Sequence, residues 1–301
     1  MVAKAIAIGI TELLSRFLNL PTLILVSNGT RGMFTVWLGG ILYAQALFNN
    51  RLSLVRRAML LGLLAVLVYQ RLIVDTSWVS GWLPLALVCA IITFVRSRKL
   101  FAVLCVLALI VVALKWDYVM TSYEAEMAGG SNLRGGLWAK AFGYVLQHPL
   151  FGMGPAGYAV YYMTYQPNDA MATHNNLFDV IAQHGFIGIV AFLWMFGVFF
   201  VVTFRSMRLH KGRGDFVEAF SVLGFAGAVA SFAGMMLGDW LLPFAYTQTI
   251  SGFDNAVFTW MFIGCAVALY HMRLRANVET KPQAALPATP VSSVQELRSH
   301  A

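Results

Sequence analysis

Residues 132–157 read NLRGGLWAKAFGYVLQHPLFGMGPAG, and residues 172–188 read ATHNNLFDVIAQHGFIG. Both lie within 115–185, the only long polar break in a chain that is otherwise mostly apolar. If the apolar runs around it are membrane helices, the break is a loop that they mount outside the bilayer.

Composition favours that reading. The chain is 59% hydrophobic and 11% charged, where a soluble domain carries roughly 25% charged residues. Its mean hydropathy is +0.71. Several apolar runs approach the roughly 20 residues that a helix needs to cross the hydrocarbon. A membrane β-barrel would instead need alternating strands of ~10 residues, and the sequence has no such pattern. The net charge of +8 fits the positive-inside bias of membrane proteins. No soluble segment interleaves basic and aromatic residues as a nucleic-acid surface would, so no nucleic-acid partner is expected. Cys89, Cys105 and Cys265 all sit in apolar runs, without a CxxC or a Cys/His pair at metal spacing. Neither a disulfide framework nor a zinc site is expected, and no cofactor or metal is called for. The N-terminus lacks a short apolar core with a small-residue cleavage site, so it reads as a first membrane segment.

The expected fold is all-α: a polytopic transmembrane helix bundle of about eight spans with a large helical periplasmic loop. The spans fall at 5–27, 32–48, 58–74, 78–95, 100–114, 186–204, 216–238 and 253–270. Glu12 and Arg16 lie four apart in the first and are placed to pair. The glycine-rich run 216–238 is suited to close helix contact. Four parts follow: N-terminal helices 1–114, the loop 115–185, C-terminal helices 186–276, and a tail 277–301 rich in Pro, Ala, Ser and Thr and expected to be disordered. With the N-terminus inside and the helices alternating, 15 of the 21 basic residues fall on the cytoplasmic side. The loop then faces outward. Arg31, Arg71 and Arg134 are among the few basic residues left on that face. Arg71, with Asp75 four residues on, reads as a snorkelling side chain.

Within the loop, residues 132–148 show helical spacing in Leu137, Trp138, Ala141, Phe142, Val145 and Leu146, and Pro149 stops the run. Arg134 and Trp138 share a face of this helix, which is expected to lie on the membrane surface. There the guanidinium fork and the helix N-terminus both favour phosphate. The glycines of Gly152-Met153-Gly154 suit a tight turn that seats the loop on the bundle. His174 and Asn175 precede an apolar segment running towards the membrane, which puts the His174 ring near headgroup depth. Asn175 is a candidate to fix the ring's tautomer or to contact a sugar hydroxyl.

Taken together, these motifs resemble the O-antigen ligase and polymerase superfamily of bacterial envelope proteins. The residues that carry the likeness are Arg134-x-x-x-Trp138, His148-Pro149-Leu150-Phe151-Gly152-x-Gly154, His174-Asn175 and Gly185-x-x-Gly188. The likeness is best over about 130–205. It implies a polytopic glycosyltransferase of the bacterial inner membrane that works without a metal. The implied partners are an undecaprenyl-pyrophosphate-linked glycan donor, a glycan, lipid or protein acceptor, and membrane lipids. By this resemblance Arg134 faces the donor pyrophosphate, His174 is the essential loop histidine, and Arg31 is the candidate for an arginine at the outer end of an earlier helix. Trp138, Asn175, Gly152 and Gly154 are the expected substrate-binding residues. The family's Ser-Arg pair stands here as Thr30-Arg31, and Gln183 replaces a carboxylate common before the final Gly-x-x-Gly. If the segment 76–82 occupies the Ser-Arg slot instead, Arg71 is the alternative arginine. The chain is shorter than usual for the family, which leaves truncation, divergence or a partner subunit open.

Such chemistry needs charge stabilisation on a departing pyrophosphate and a base for the acceptor hydroxyl. Two arginines and one histidine supply both. Asp117, Glu124, Glu126 and Asp169 lack any spacing that would pair them as a glycosidase does. The rival classes are a transporter and an inactive glycan-binding scaffold. Paired broken helices in an inverted repeat would favour the transporter, and binding without turnover would favour the scaffold.

Overall fold

A computed structural model describes residues 33–69, 79–114, 116–117, 120–121, 132–154, 173–242 and 245–279. The expected first span, Arg31, Arg71 and the tail beyond residue 279 lie outside these. Eight long helices are described: α1 (Met33–Phe48), α2 (Leu54–Tyr69), α3 (Val79–Arg96), α4 (Arg98–Leu114), α5 (Asn132–Gln147), α6 (Asn176–Leu209), α7 (Phe216–Met235) and α8 (Ala245–Glu279). No strand occurs among the described residues. Helices α6 and α7 and the segment Ala256–Ala276 of α8 are long and apolar enough to cross a membrane, while α1 and Trp82–Arg96 are shorter apolar helices.

Helix α7 is the axis of the bundle, packed by α1, α3, α6 and α8. Lipid tails are as apolar as leucine, so helices in a membrane associate through close packing and polar contacts. The small residues of α7 provide the first. A methyl group on Gly227 would fall onto the Trp37 ring, and one on Gly224 would come 2.6 Å from the Ala266 Cβ. Trp37 is fully buried, stacks on Phe262 at 5.0 Å, and donates its indole N–H to Thr259 Oγ1 at 3.0 Å. Tyr43 and Thr93 share a second interhelical hydrogen bond of 2.8 Å. Each such bond contributes about 1 kcal/mol.

The outer ring is apolar in the opposite sense. Helix α4 exposes Val103, Leu107, Leu109 and Ile110, and α6 exposes Phe186, Ile187, Val190 and Trp194. A continuous exposed apolar belt of this kind suits lipid, not water.

The bundle's two ends differ. At one, Asp215 caps α7 by accepting from the N–H groups of Val217 and Glu218, both at 3.1 Å. Its carboxylate also pairs with Arg213 at 2.9 Å and Arg51 at 3.6 Å, and Asn50 N–H donates to Gly214 O at 2.9 Å. The α1–α2 and α6–α7 turns are thereby clasped together. The hydrogen bond from Arg213, with the Glu218 N–H and the Arg51 charge in support, holds the Asp215 carboxyl below its ordinary range.

Besides α8, which runs over Ala245–Glu279 and so exceeds the expected 253–270 and enters the tail expected from 277, two elements depart from expectation. Helix α7 ends at Met235, short of residue 238, because the segment after it finds partners elsewhere. Trp260 donates to Leu241 O at 3.1 Å, and Asn176 accepts from the N–H groups of Leu241 and Leu242. The span expected at 186–204 begins at Asn176, because the end of the loop is itself helical and joins the span across a break at Gly185.

Candidate functional site

The break at Gly185 builds the site's floor. Gly185 has φ +63° and ψ −162°, which interrupts the helical ladder. In an apolar environment every freed backbone group needs a partner. The glycine-rich turn supplies them: Met153 and Gly154 donate to Ala182 O and Gln183 O at 2.9 and 3.0 Å, and Phe186 and Ile187 donate to Pro149 O and Leu150 O at 2.8 and 3.3 Å. The approach is close enough that only glycine fits. A Cβ on Gly152 would lie 2.5 Å from the Gln183 carbonyl carbon, and one on Gly185 would overlap the Leu150 carbonyl. Gly152 and Gly154 both have positive φ. Their amides are spent on His148 O and Gln183 O, so they seat the loop and present no free N–H to a substrate phosphate.

Helix α5 rests on α6 beside this turn. Ala141, Tyr144 and Val145 are buried, whereas Phe142 and Leu146 are exposed. The apolar stripe therefore divides: half packs on the bundle and half faces outward. Trp138 stacks on Phe178 of α6 at 5.3 Å and donates its indole N–H to Thr173 O at 2.9 Å.

Thr173, His174 and Asn175 form the entry to α6. The Asn175 side chain caps the helix by accepting from Leu177 N–H at 3.0 Å. The Thr173 hydroxyl lies 2.7 Å from Asp179 Oδ1 and 2.9 Å from Asn175 O. Asn176 is fully buried and ties down the segment after α7, donating to Leu242 O at 2.8 Å while accepting from Leu241 and Leu242. Between these fixed neighbours His174 takes φ +53°, the one non-glycine residue with positive φ among those described. Such a backbone costs about 1–3 kcal/mol and persists only where the surroundings impose it. Its ring is one-third exposed, and Nδ1 lies 3.3 Å from Oδ2 of Asp239, whose side chain is wholly buried.

The result is a histidine–carboxylate pair. Nδ1 faces the carboxylate, and a proton held on that nitrogen would leave Nε2 with its lone pair, the form that accepts a proton. Trp138 and Asn175, both expected at the site, are brought to this histidine's backbone. Asn175 serves as helix cap, and the partner expected of it on the ring is Asp239 instead. Arg134 lies in the first turn of α5, one turn before Trp138; its side chain, like Arg31 and Arg71, lies outside the described residues. Asp239 was absent from the expected site. The signal was a lone acid in an apolar run, which is costly unless it has work to do. Among the described residues no three His, Cys, Asp or Glu side chains converge as metal ligands would.

The class of protein is therefore an all-helical integral membrane protein with a polar histidine site at one end of its bundle. Residues 72–193 match the family model for O-antigen ligase, so this stretch of the chain is similar to the superfamily that its motifs resemble. The matched stretch contains Arg134, Trp138, the glycine-rich turn and His174, but neither Arg31 nor Asp239. Among curated proteins, none matches the chain. The family supports an enzyme of the glycosyltransferase kind acting on a lipid-linked glycan and an acceptor.

Proposed function

We propose that this protein transfers or polymerises an undecaprenyl-pyrophosphate-linked glycan at the periplasmic face of the bacterial inner membrane, without a metal. The observation that carries the reading is the His174–Asp239 pair at the mouth of α6. In this reading His174 Nε2 takes the proton of the acceptor hydroxyl. The freed oxygen attacks the anomeric carbon, the bond from that carbon to the pyrophosphate oxygen breaks, and undecaprenyl pyrophosphate departs with the negative charge. Asp239 stabilises the imidazolium formed in the step. Arg134 faces the pyrophosphate, with Arg31 as the second guanidinium; both are charge-assisted donors to the leaving group. The N-terminal end of α6 is also a favourable place for an anion. The positive-inside distribution of the basic residues supports the outward placement of this end.

The test is reconstitution of the full chain with a lipid-linked glycan donor and an acceptor. His174→Ala should abolish transfer while donor retention persists, and Arg134→Ala should abolish transfer and weaken donor retention. Undiminished transfer in either variant, at normal expression, would refute the assignment, and wild-type protein that binds donor without turnover would make it a scaffold.

A further inference from the structure

At the end of the bundle remote from His174 lies a cavity of about 740 Å³. The two sites are separated by Phe186–Leu209 of α6, which at about 1.5 Å per residue reaches roughly 36 Å. Four cations line the cavity from three elements: Arg96 and Arg98 at the α3–α4 junction, Arg208 at the end of α6, and Lys211 in the following turn. None pairs with a carboxylate among the described residues. Glu218, the one acid in the lining, is spent on the N–H groups of Gly212 and Gly214 at 2.8 and 2.6 Å. Asp215 nearby is spent on Arg213, Arg51 and the cap of α7. Aromatic rings seat the guanidiniums instead: Arg96 lies over Phe48 at 5.8 Å, Arg98 over Phe94 at 5.6 Å, and Arg208 over Phe204 at 5.8 Å. Asn50, Gly212 and Gly214 add polar lining, and Leu47, Val95, Met207 and Val222 form an apolar part of the wall.

Orienting a membrane protein needs basic residues near helix ends. It does not need them to converge on one cavity or to be seated on rings. Arg56 and Arg205, which lie outside the cavity lining, answer to orientation alone.

We infer that this cavity binds the phosphate headgroup of an anionic phospholipid. The cations take the phosphate and the apolar wall takes the first part of the acyl chains. A free phosphate would use the cations but leave the apolar wall unexplained, so the lipid is the occupant. The inference does not depend on the glycan reading.

The test is native mass spectrometry of the delipidated full chain titrated with phosphatidylglycerol, phosphatidylcholine or inorganic phosphate. Phosphatidylglycerol should be retained at least about tenfold better than phosphatidylcholine, in keeping with the attraction of basic residues to anionic lipid. The double variant Arg96→Gln with Arg208→Gln should lose about tenfold in that retention. The double variant with lysine at the same positions should keep most of it, and so should the control pair Arg56→Gln with Arg205→Gln. Equal retention of the zwitterionic lipid, equal loss in the control pair, or displacement by millimolar inorganic phosphate would each overturn the inference. Thermal unfolding of all three variants identifies any loss that comes from misfolding, and the lysine variant then decides.

Discussion

Replacing Asp239 with asparagine keeps the side chain's shape and removes its charge. The carboxylate is fully buried and 3.3 Å from His174 Nδ1. An imidazolium at that distance gains about 5 kcal/mol from the charge at an effective dielectric of 20. The ring is one-third exposed and the amide keeps a dipole, so solvent screening reduces the loss to about 3–4 kcal/mol. At 1.36 kcal/mol per decade, kcat for glycan transfer should fall about 10²–10³-fold, within the range of a general base. KM should hold, because Asp239 acts through His174 and its buried carboxylate offers no surface to substrate. The assay is transfer in nanodiscs with lipid-linked donor, run beside His174→Ala and the double variant. Because the proposed step uses Asp239 through His174, adding Asp239→Asn to His174→Ala should cost transfer nothing further. A wild-type kcat in Asp239→Asn, or a full additional loss in the double variant, would refute the pairing.

Gly185→Ala forces a side chain into a positive-φ position against the Leu150 carbonyl and should cost about 3 kcal/mol or more. Gly197→Ala, which meets nothing within 4 Å, should leave thermal unfolding in detergent unchanged, and a matching fall in both would discard the account of the helix break. Asn176→Ala removes the bonds to Leu241 and Leu242 and should destabilise by about 2–4 kcal/mol; unfolding within error of wild type would show that the segment holds itself. Asp215→Asn keeps a capping side chain but loses the charge facing Arg213 and Arg51, for about 1 kcal/mol at neutral pH. The Asp215 carboxyl sits below its ordinary value in the folded state, so its contribution is complete above the unfolded value of about 3.9. That contribution is lost as pH falls through the lower folded value. The difference in melting temperature between wild type and variant should therefore close below about pH 4, and a gap that persists there would exclude the ionised pair as its source.

Much of this molecule is legible in the chain because the relevant physics is local. Apolar runs of the right length specify the helices, and residues 33–48, 79–96 and 98–114 fall close to expectation. Helical spacing placed α5, and proline at 149 marked its end. The close contacts of α7 were readable because glycines in an apolar run have little other use. The division of the α5 stripe was not readable: Ala141 and Phe142 both count as apolar, and only the neighbouring helix decides which one it covers.

An all-helical membrane protein, a polar segment mounted on its helices, and His174 as the histidine to watch are all legible in the chain. They are so because hydropathy, periodicity and motif order act over short stretches of chain. The partner of His174 is set by the folding of distant segments against each other. Asp239 comes from beyond the loop and reaches the ring because Asn176 holds the segment after α7 by its backbone. No periodicity encodes such a meeting, since it depends on where α7 stops and on which helix end stands beside it. The same holds for the glycine-rich turn. In the chain it is a run of small residues, and in the fold it is the partner of a broken helix, answering the four backbone groups that Gly185 sets free.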